Sequence, residues 1–434
     1  MKQFRKHSTI VISLLLVISM LAAGCGSQSN GKDPDGSETT APDDNSEVIE
    51  FAEAVPNLDA SGAKADPAVQ AACEKLGDAV RQSGNKIIAE INEDNFVFSP
   101  LSFYLAFATI YNGANDEGAE ELGQLLLGSS GLDRELLNKA SGVLIRELTQ
   151  NEDFKVEVNT LLAGRMDYEF SAEFLQAAAD YYEATGVKVD FTSPDALALL
   201  NEWTKYKTNG LIDPLFPEDY EFDEFTAMVL INTVYLLAEW ENTFDPNNTF
   251  DQTFNGADGT SEVKMMNRRS MMDYARTDQY QMVSLQYKGG AMMNLYLPES
   301  GVTPKEILLS QREDSTGKAD VQLTLPKFDM ASQIGLMEML KKLTPSILEP
   351  DSLKDLMTVN GEPAVDLFVS DSFQKARIIV DEKGTEAAAA TALVVGVTSA
   401  GPGDMIILSF DRPFAWEIVY DNVPLFSGVV SNLP

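Results

Sequence analysis

Groups able to do covalent or acid–base chemistry near neutral pH are scarce in this chain. Its 434 residues hold one histidine, His7, and two cysteines, Cys25 and Cys73. His7 lies in a segment read below as a cleaved leader, so the mature chain is expected to carry no imidazole. That excludes Ser-His-Asp and Cys-His catalysis, His-ligated zinc and histidine proton shuttling, each of which needs a group titrating near neutrality. Cys73 shares helical spacing with Val69, Leu76 and Val80. In that pattern it fills space on a buried helix face, with no histidine to activate it. Methionines 265, 266, 271, 272, 292 and 293 are read as packing in the core or lining strands rather than binding a cofactor, and Asp33 and Asp35 lack the later ligands of a calcium loop. No metal or other cofactor is expected.

One segment stands out by its run of small side chains. Gly384-Thr385-Glu386 leads into Ala387, Ala388, Ala389, Ala390 and Thr391, then through Leu393-Val394-Val395 and Val397 to Thr398-Ser399. Propensity alone reads Thr385 to Ala390 as a capped alanine helix. Two features argue against it: Gly384 offers a backbone hinge, and the continuation is β-favouring with no helical stripe. Small side chains suit an exposed loop and a buried strand alike, and a switch element needs that tolerance.

The elements that hold this segment belong to a chain sent out of the cytoplasm. Lys2, Arg5 and Lys6 precede the apolar run from Ile10 to Ala23, which is short for a bilayer span and suits a leader. Leu21-Ala22-Ala23-Gly24-Cys25 resembles the lipobox of bacterial lipoprotein precursors. Residues 1–24 are therefore read as a signal peptide and Cys25 as the lipidated residue, with ordinary secretion after Gly24 as the alternative. An outward-facing membrane lipoprotein is expected, anchored or released. With 67 acidic and 32 basic residues the net charge is −35. Loss of the leader's three cations leaves 29 basic residues and a charge of −38. Such a surface repels nucleic acid, heparin-like polyanions and anionic membranes, so the lipid alone must provide membrane attachment. With Cys73 the one cysteine beyond the lipidated site, stability must come from the core, for which 44% apolar residues suffice. Residues 25–66 read as a disordered acidic tether spanning about 35 Å or more.

Residues 67–434 show neither a repeat nor a second linker and read as one domain. Helical periodicity marks 68–82, 118–127, 133–149, 171–184 and 195–208. Ser99-Pro100 looks like a cap with proline at the first helical position, opening a helix that ends near Asn112-Gly113. Strand-like runs occupy 96–98, 227–237, 282–287, 292–297, 321–325, 377–380, 405–408 and 414–420. Helices dominate the first half and strands the second, which favours an α+β fold with largely antiparallel sheets.

These segments also carry a resemblance. In chain order they are Phe98-Ser99-Pro100-Leu101-Ser102; Leu200-Asn201-Glu202-Trp203 through Lys207-Thr208-Asn209-Gly210; Ile231-Asn232-Thr233-Val234-Tyr235 through Trp240; Leu325-Pro326-Lys327-Phe328; Val380 through Thr391; and Asp411-Arg412-Pro413-Phe414. In that order they resemble signature segments of the serpin family across nearly the whole domain. The resemblance implies helices packed around three largely antiparallel β-sheets with an exposed reactive centre loop. It further implies that a target serine protease cleaves that loop and forms a covalent acyl-enzyme. The hinge of Glu382, Gly384, Thr385, Glu386, Ala387, Ala388, Ala389, Ala390 and Thr391 then inserts into a sheet, drags the protease away and distorts its active site.

No proline or charge occurs from Ala387 to Thr398, which fits an inhibitor rather than an inert relative. The family's usual loop length puts the reactive bond between Thr398 and Ser399, with Val397-Thr398 as the second register. The absence of cations and rings nearby favours elastase-like or subtilisin-like proteases. Ser99, Ser102 and Asn232 match the shutter where the sheet must part, and Trp240 matches the breach at its top. Gln374 stands where many serpins carry a shutter histidine. Gln can donate one bond and accept one, without pH sensitivity near neutrality. A monomer is expected. Two other readings stay open: a non-inhibitory serpin-fold binding protein, and a solute-binding lipoprotein, whose usual alternation of strand and helix is missing here.

Overall fold

A computed structural model describes residues 48–52, 54–222, 226–312, 317–385 and 405–434. Its strands, in chain order, begin with β1 (Ile49–Ala52), β2 (Phe96–Phe98), β3 (Phe154–Arg165), β4 (Glu169–Phe170), β5 (Thr185–Val189) and β6 (Met228–Glu239). Next come β7 (Thr249–Asn255), β8 (Thr260–Arg276), β9 (Tyr280–Gln286), β10 (Met292–Pro298), β11 (Gly317–Pro326) and β12 (Phe328–Gly335). The last are β13 (Met357–Val359), β14 (Glu362–Pro363), β15 (Phe373–Val380), β16 (Gly384–Thr385), β17 (Ile406–Ser409), β18 (Phe414–Tyr420) and β19 (Val423–Val430). They form three sheets among the described residues. One runs β1-β5-β3-β6-β16-β15-β12, a second runs β17-β11-β8-β9-β10-β18-β19-β2 with β7 on β8, and a small third runs β14-β13-β4. Among the described residues, only β3–β5 and β11–β17 pair in parallel. The α+β expectation with largely antiparallel sheets matches this arrangement.

The helix Pro100–Tyr111 shows how local chemistry sets the centre of the fold. The Ser99 hydroxyl accepts from the Ser102 N–H at 3.1 Å and Pro100 supplies a preset φ, so the chain enters the helix where the sequence says it should. All twelve of its residues are buried. The neighbouring helix Pro67–Glu90 can approach because Gly84 has no side chain; a Cβ there would stand 2.8 Å from Pro100 Cβ. This helix runs eight residues beyond the expected end at 82. Cys73, on its partly exposed side, is half-buried rather than fully buried, and burial pushes its thiol up.

The seven-stranded sheet is apolar on both faces. Alternation along β3 sends Leu162 into the main core and Leu161 and Ala163 into a second cluster. That second cluster lies under the helix Ala196–Lys207, whose Leu200 and Trp203 meet Val187, Val229 and Ile231.

The tether expectation fails for residues 48–66. β1 adds an antiparallel strand to the edge of the seven-stranded sheet, with Ile49 opposite Val189 and Ala52 opposite Gly186. Val48 and Ile49 pack on the second apolar cluster, and Lys188 pairs with Glu50 at 3.0 Å. The helix Ala60–Lys64 follows, and Lys64 pairs with Glu147. The free backbone edge of β5 stabilises this segment; its own composition would not.

Candidate functional site

Asp381 makes the chain reverse at the end of β15. Its carboxylate accepts from the Lys383 N–H at 2.8 Å and the Gly384 N–H at 3.3 Å, and its own N–H donates to the Gly384 carbonyl at 3.0 Å. Asp at the start and Gly at the end of four residues is ordinary turn chemistry. The returning residues form β16, wedged between β15 and β6: Thr385 lies opposite Val380 on one side and Ala238 on the other, and Gly384 lies opposite Glu239. Gly384 is needed for this approach rather than for a left-handed φ. A Cβ there would stand well inside contact distance of the Ala238 carbonyl oxygen and 2.9 Å from Glu239 Cα. Among the described residues no other backbone pair bridges β6 and β15.

Polar contacts hold β16 and its turn from three directions. Thr385 is buried, and its hydroxyl lies 2.6 Å from the Tyr287 hydroxyl. Tyr287 stacks on Trp240 with ring centres 4.2 Å apart, and burial pushes its phenol well above the ordinary range. Trp240 donates its indole N–H to the Asp381 carbonyl at 2.9 Å and its backbone N–H to the Lys383 carbonyl at 2.8 Å. Glu382 accepts from Lys327 Nζ at 2.7 Å and from the Thr249 hydroxyl at 2.9 Å. Its backbone carbonyl accepts from the Phe244 N–H at 2.8 Å.

Burial works to raise the Glu382 carboxyl, but the Lys327 ammonium, the backbone and Thr249 outweigh it and hold the group below its ordinary 4.5. A lowered carboxylate stabilises the fold above about pH 4.5 and loses that contribution as pH falls through the lowered value. Hydrogen exchange at the Phe244 and Trp240 amides is therefore expected to lose protection on acidification below pH 4.5, beyond the intrinsic pH effect. Glu382→Gln is expected to flatten that dependence.

A second cluster lies lower in the same sheet. The Gln374 amide accepts from the Ser99 N–H at 2.7 Å and donates to the Ser99 carbonyl at 3.0 Å. The Ser99 hydroxyl donates to the Leu425 carbonyl at 2.6 Å. The Ser102 hydroxyl donates to Asn232 Oδ1, and the Asn232 amide donates to the Thr160 hydroxyl at 2.8 Å. Ser99 and Gln374 are thus joined by one pair of bonds, and Ser102 links them to Asn232 through the Ser99 cap. Gln374→Ala orphans the buried Ser99 N–H and is expected to destabilise the fold by about 2 kcal/mol. The check is a lowered midpoint in denaturant against wild type; an unchanged midpoint would show that the clamp holds nothing.

The structure brings Glu382, Gly384, Thr385 and Trp240 to one end of the sheet and gathers Ser99, Ser102, Asn232 and Gln374 beneath it. Glu386, Ala387, Ala388, Ala389, Ala390 and Thr391, the bonds Thr398-Ser399 and Val397-Thr398, and Cys25 lie outside the described residues. Four partners went unassigned by sequence: Tyr287, Lys327, Thr249 and Thr160. Lys327 stood inside a signature segment, but nothing local links it to a carboxylate 55 residues on.

Comparison with known proteins identifies the fold. The family model for "Serpin (serine protease inhibitor)" matches residues 82–433. The chain belongs to the serpin family, whose members are mostly inhibitors of serine proteases rather than enzymes. It is 32% identical to a serine protease inhibitor of Rattus norvegicus over 345 residues, 76% of this chain and 81% of that one. Among solved structures, Serpin48 of the insect Tenebrio molitor superposes with a TM-score of 0.73 at 26% identity, covering 83% of this chain and 98% of that one. Human thyroxine-binding globulin, at 22% identity and a TM-score of 0.72 over 83% of this chain and 99% of that one, shares the fold.

Proposed function

We propose that this serpin is an extracytoplasmic, lipid-anchored, monomeric suicide substrate for elastase-like or subtilisin-like serine proteases. The observation that carries the reading is the position of β16: Gly384-Thr385 form a short strand between β6 and β15, and the residues that follow are small enough to continue it. The protease's serine oxygen attacks the Thr398 carbonyl, an ester forms, and the new amine of Ser399 leaves. Freed from Ser399, the segment from Glu386 onward extends β16 and carries the ester-linked protease down the sheet. Distorting the protease's catalytic geometry by about 1 Å slows deacylation roughly 10²-fold. This chain supplies bait and motion, and the protease supplies the nucleophile. Lipidation at Cys25 through residues 26–47 would hold the body off the membrane.

Incubation with an elastase-like and a subtilisin-like protease tests the reading. A complex that survives denaturing electrophoresis, with a released fragment beginning at Ser399, supports it; a fragment beginning at Thr398 selects the second register. Cleavage with no complex would make the protein a non-inhibitory member, a role that the shared fold of the thyroxine-binding relative permits.

A further inference from the structure

We infer that the outer face of β8, β11 and β17 is a docking surface for the body of the target protease, beyond the reactive loop itself. The inference rests on the inhibitory reading for its partner. Three of the eight large apolar side chains standing exposed among the described residues lie here: Ile407 at 72%, Met271 at 53% and Met405 at 42%. The register explains the grouping. Ile407 lies beside Gln322 and Gln322 beside Arg269, while Met271 lies beside Asp320 on the next row of the same face. Arg269 and Asp320 pair between those rows at 2.6 Å and 3.0 Å, so the patch carries no net charge in a chain of net charge −35. β17 is also the terminal strand of its sheet.

Chain length places a protease on this surface. Six residue steps separate Ser399 from Met405, at most about 22 Å of extended chain. A protease domain of ~250 residues has a radius of gyration of about 18 Å, so its body is wider than the leash is long. Engaged at the reactive bond, it must lie close to β17. An uncharged apolar patch beside the protease's cleft would cover Met405, Ile407 and Met271, and removing such side chains from water favours association. The partner chemistry is thus apolar and neutral, not basic, despite the acidity of the inhibitor as a whole.

The test follows consumption of the intact chain by whichever of the two proteases cleaves it. The second-order rate is scored whether the product is trapped or merely cleaved. Met405→Ser with Ile407→Ser is expected to lower that rate at least tenfold while leaving the ratio of trapped to cleaved product unchanged. Met271→Ser, on a different strand, is expected to lower it severalfold. Val365→Ser, removing a comparably exposed apolar group beyond β14, is the control and is expected to stay within twofold. Rates within twofold of wild type for both the double variant and Met271→Ser would overturn the inference. A fall in rate with no trapped product from any variant, wild type included, would keep the surface and discard the inhibitory reading.

Discussion

Thr385→Arg is expected to leave the reactive loop cleavable and to abolish the trapped complex. Thr385 is 2% exposed, flanked by backbone on both sides, and its hydroxyl is bonded to a buried tyrosine. An arginine there would have to leave the sheet or bury a cation where Tyr287 offers a hydroxyl and no carboxylate. The effective cost of an uncompensated buried charge is several kcal/mol. If about 4 kcal/mol of that cost falls on the inserting step, insertion slows roughly a thousandfold. Deacylation, a property of the protease, keeps its own rate and wins. The measurement is the ratio of complex to cleaved chain on a denaturing gel, with Thr385→Ser as the control that keeps the hydroxyl and traps normally. Undiminished trapping by the arginine variant would show that β16 is not where insertion begins.

Legibility in the sequence tracked how local each determinant is. The Ser99 cap and Pro100 announce a helix start because capping is settled within four residues, and β18 falls where its apolar run does. β8, the longest strand among the described residues, is hidden in the sequence. Its Glu262, Lys264, Arg268, Arg269 and Asp273 interrupt the run, and its apolar residues come as methionine doublets that hide a period of two. β3 was missed for a related reason: one face meets the core and the other the Ala196–Lys207 helix, so apolar residues fall on both. β1 and the residue before it carry Val48-Ile49 and Phe51, a strand signal overshadowed by acidic neighbours. Only the partner edge on β5 makes it a strand.

The site divides in the same way. Motif residues such as Trp240, Asn232 and Glu382 were found because each sits in a contiguous segment. Tyr287 and Thr249 were not, since their roles arise when β7, β8 and β9 are folded against the hinge, and each is 98 or more residues from its partner. Gln374 lies between these cases. Its identity told what bonds it could make, and the fold decided that both go to the backbone of Ser99.

Cleavage at the reactive bond is expected to raise thermal stability, an unusual outcome for breaking a peptide bond. β15 feeds the hinge at one end of the loop, and β17 anchors the other through its pairing with β11. β17 sits at the hinge end, because the Phe410 N–H donates to the Thr324 carbonyl and Lys327, three residues on, holds Glu382. Inserting the thirteen residues Glu386 to Thr398 would carry Thr398 about 43 Å along the sheet. The seven steps from Thr398 to Met405 reach about 25 Å at most. Full insertion and an intact β17 therefore compete until the bond is cut. Once it is cut, β6 and β15 gain a strand between them, with roughly ten new ladder bonds at about 1 kcal/mol each and buried alanine and valine besides. A gain on the order of 10 kcal/mol corresponds to a rise of roughly 13 °C in the unfolding midpoint of a domain this large. Scanning calorimetry before and after limited digestion measures it. A cleaved chain melting no higher than the intact one would mean that the loop had no strand left to add, and motion of the trapped protease would then lack a driving force.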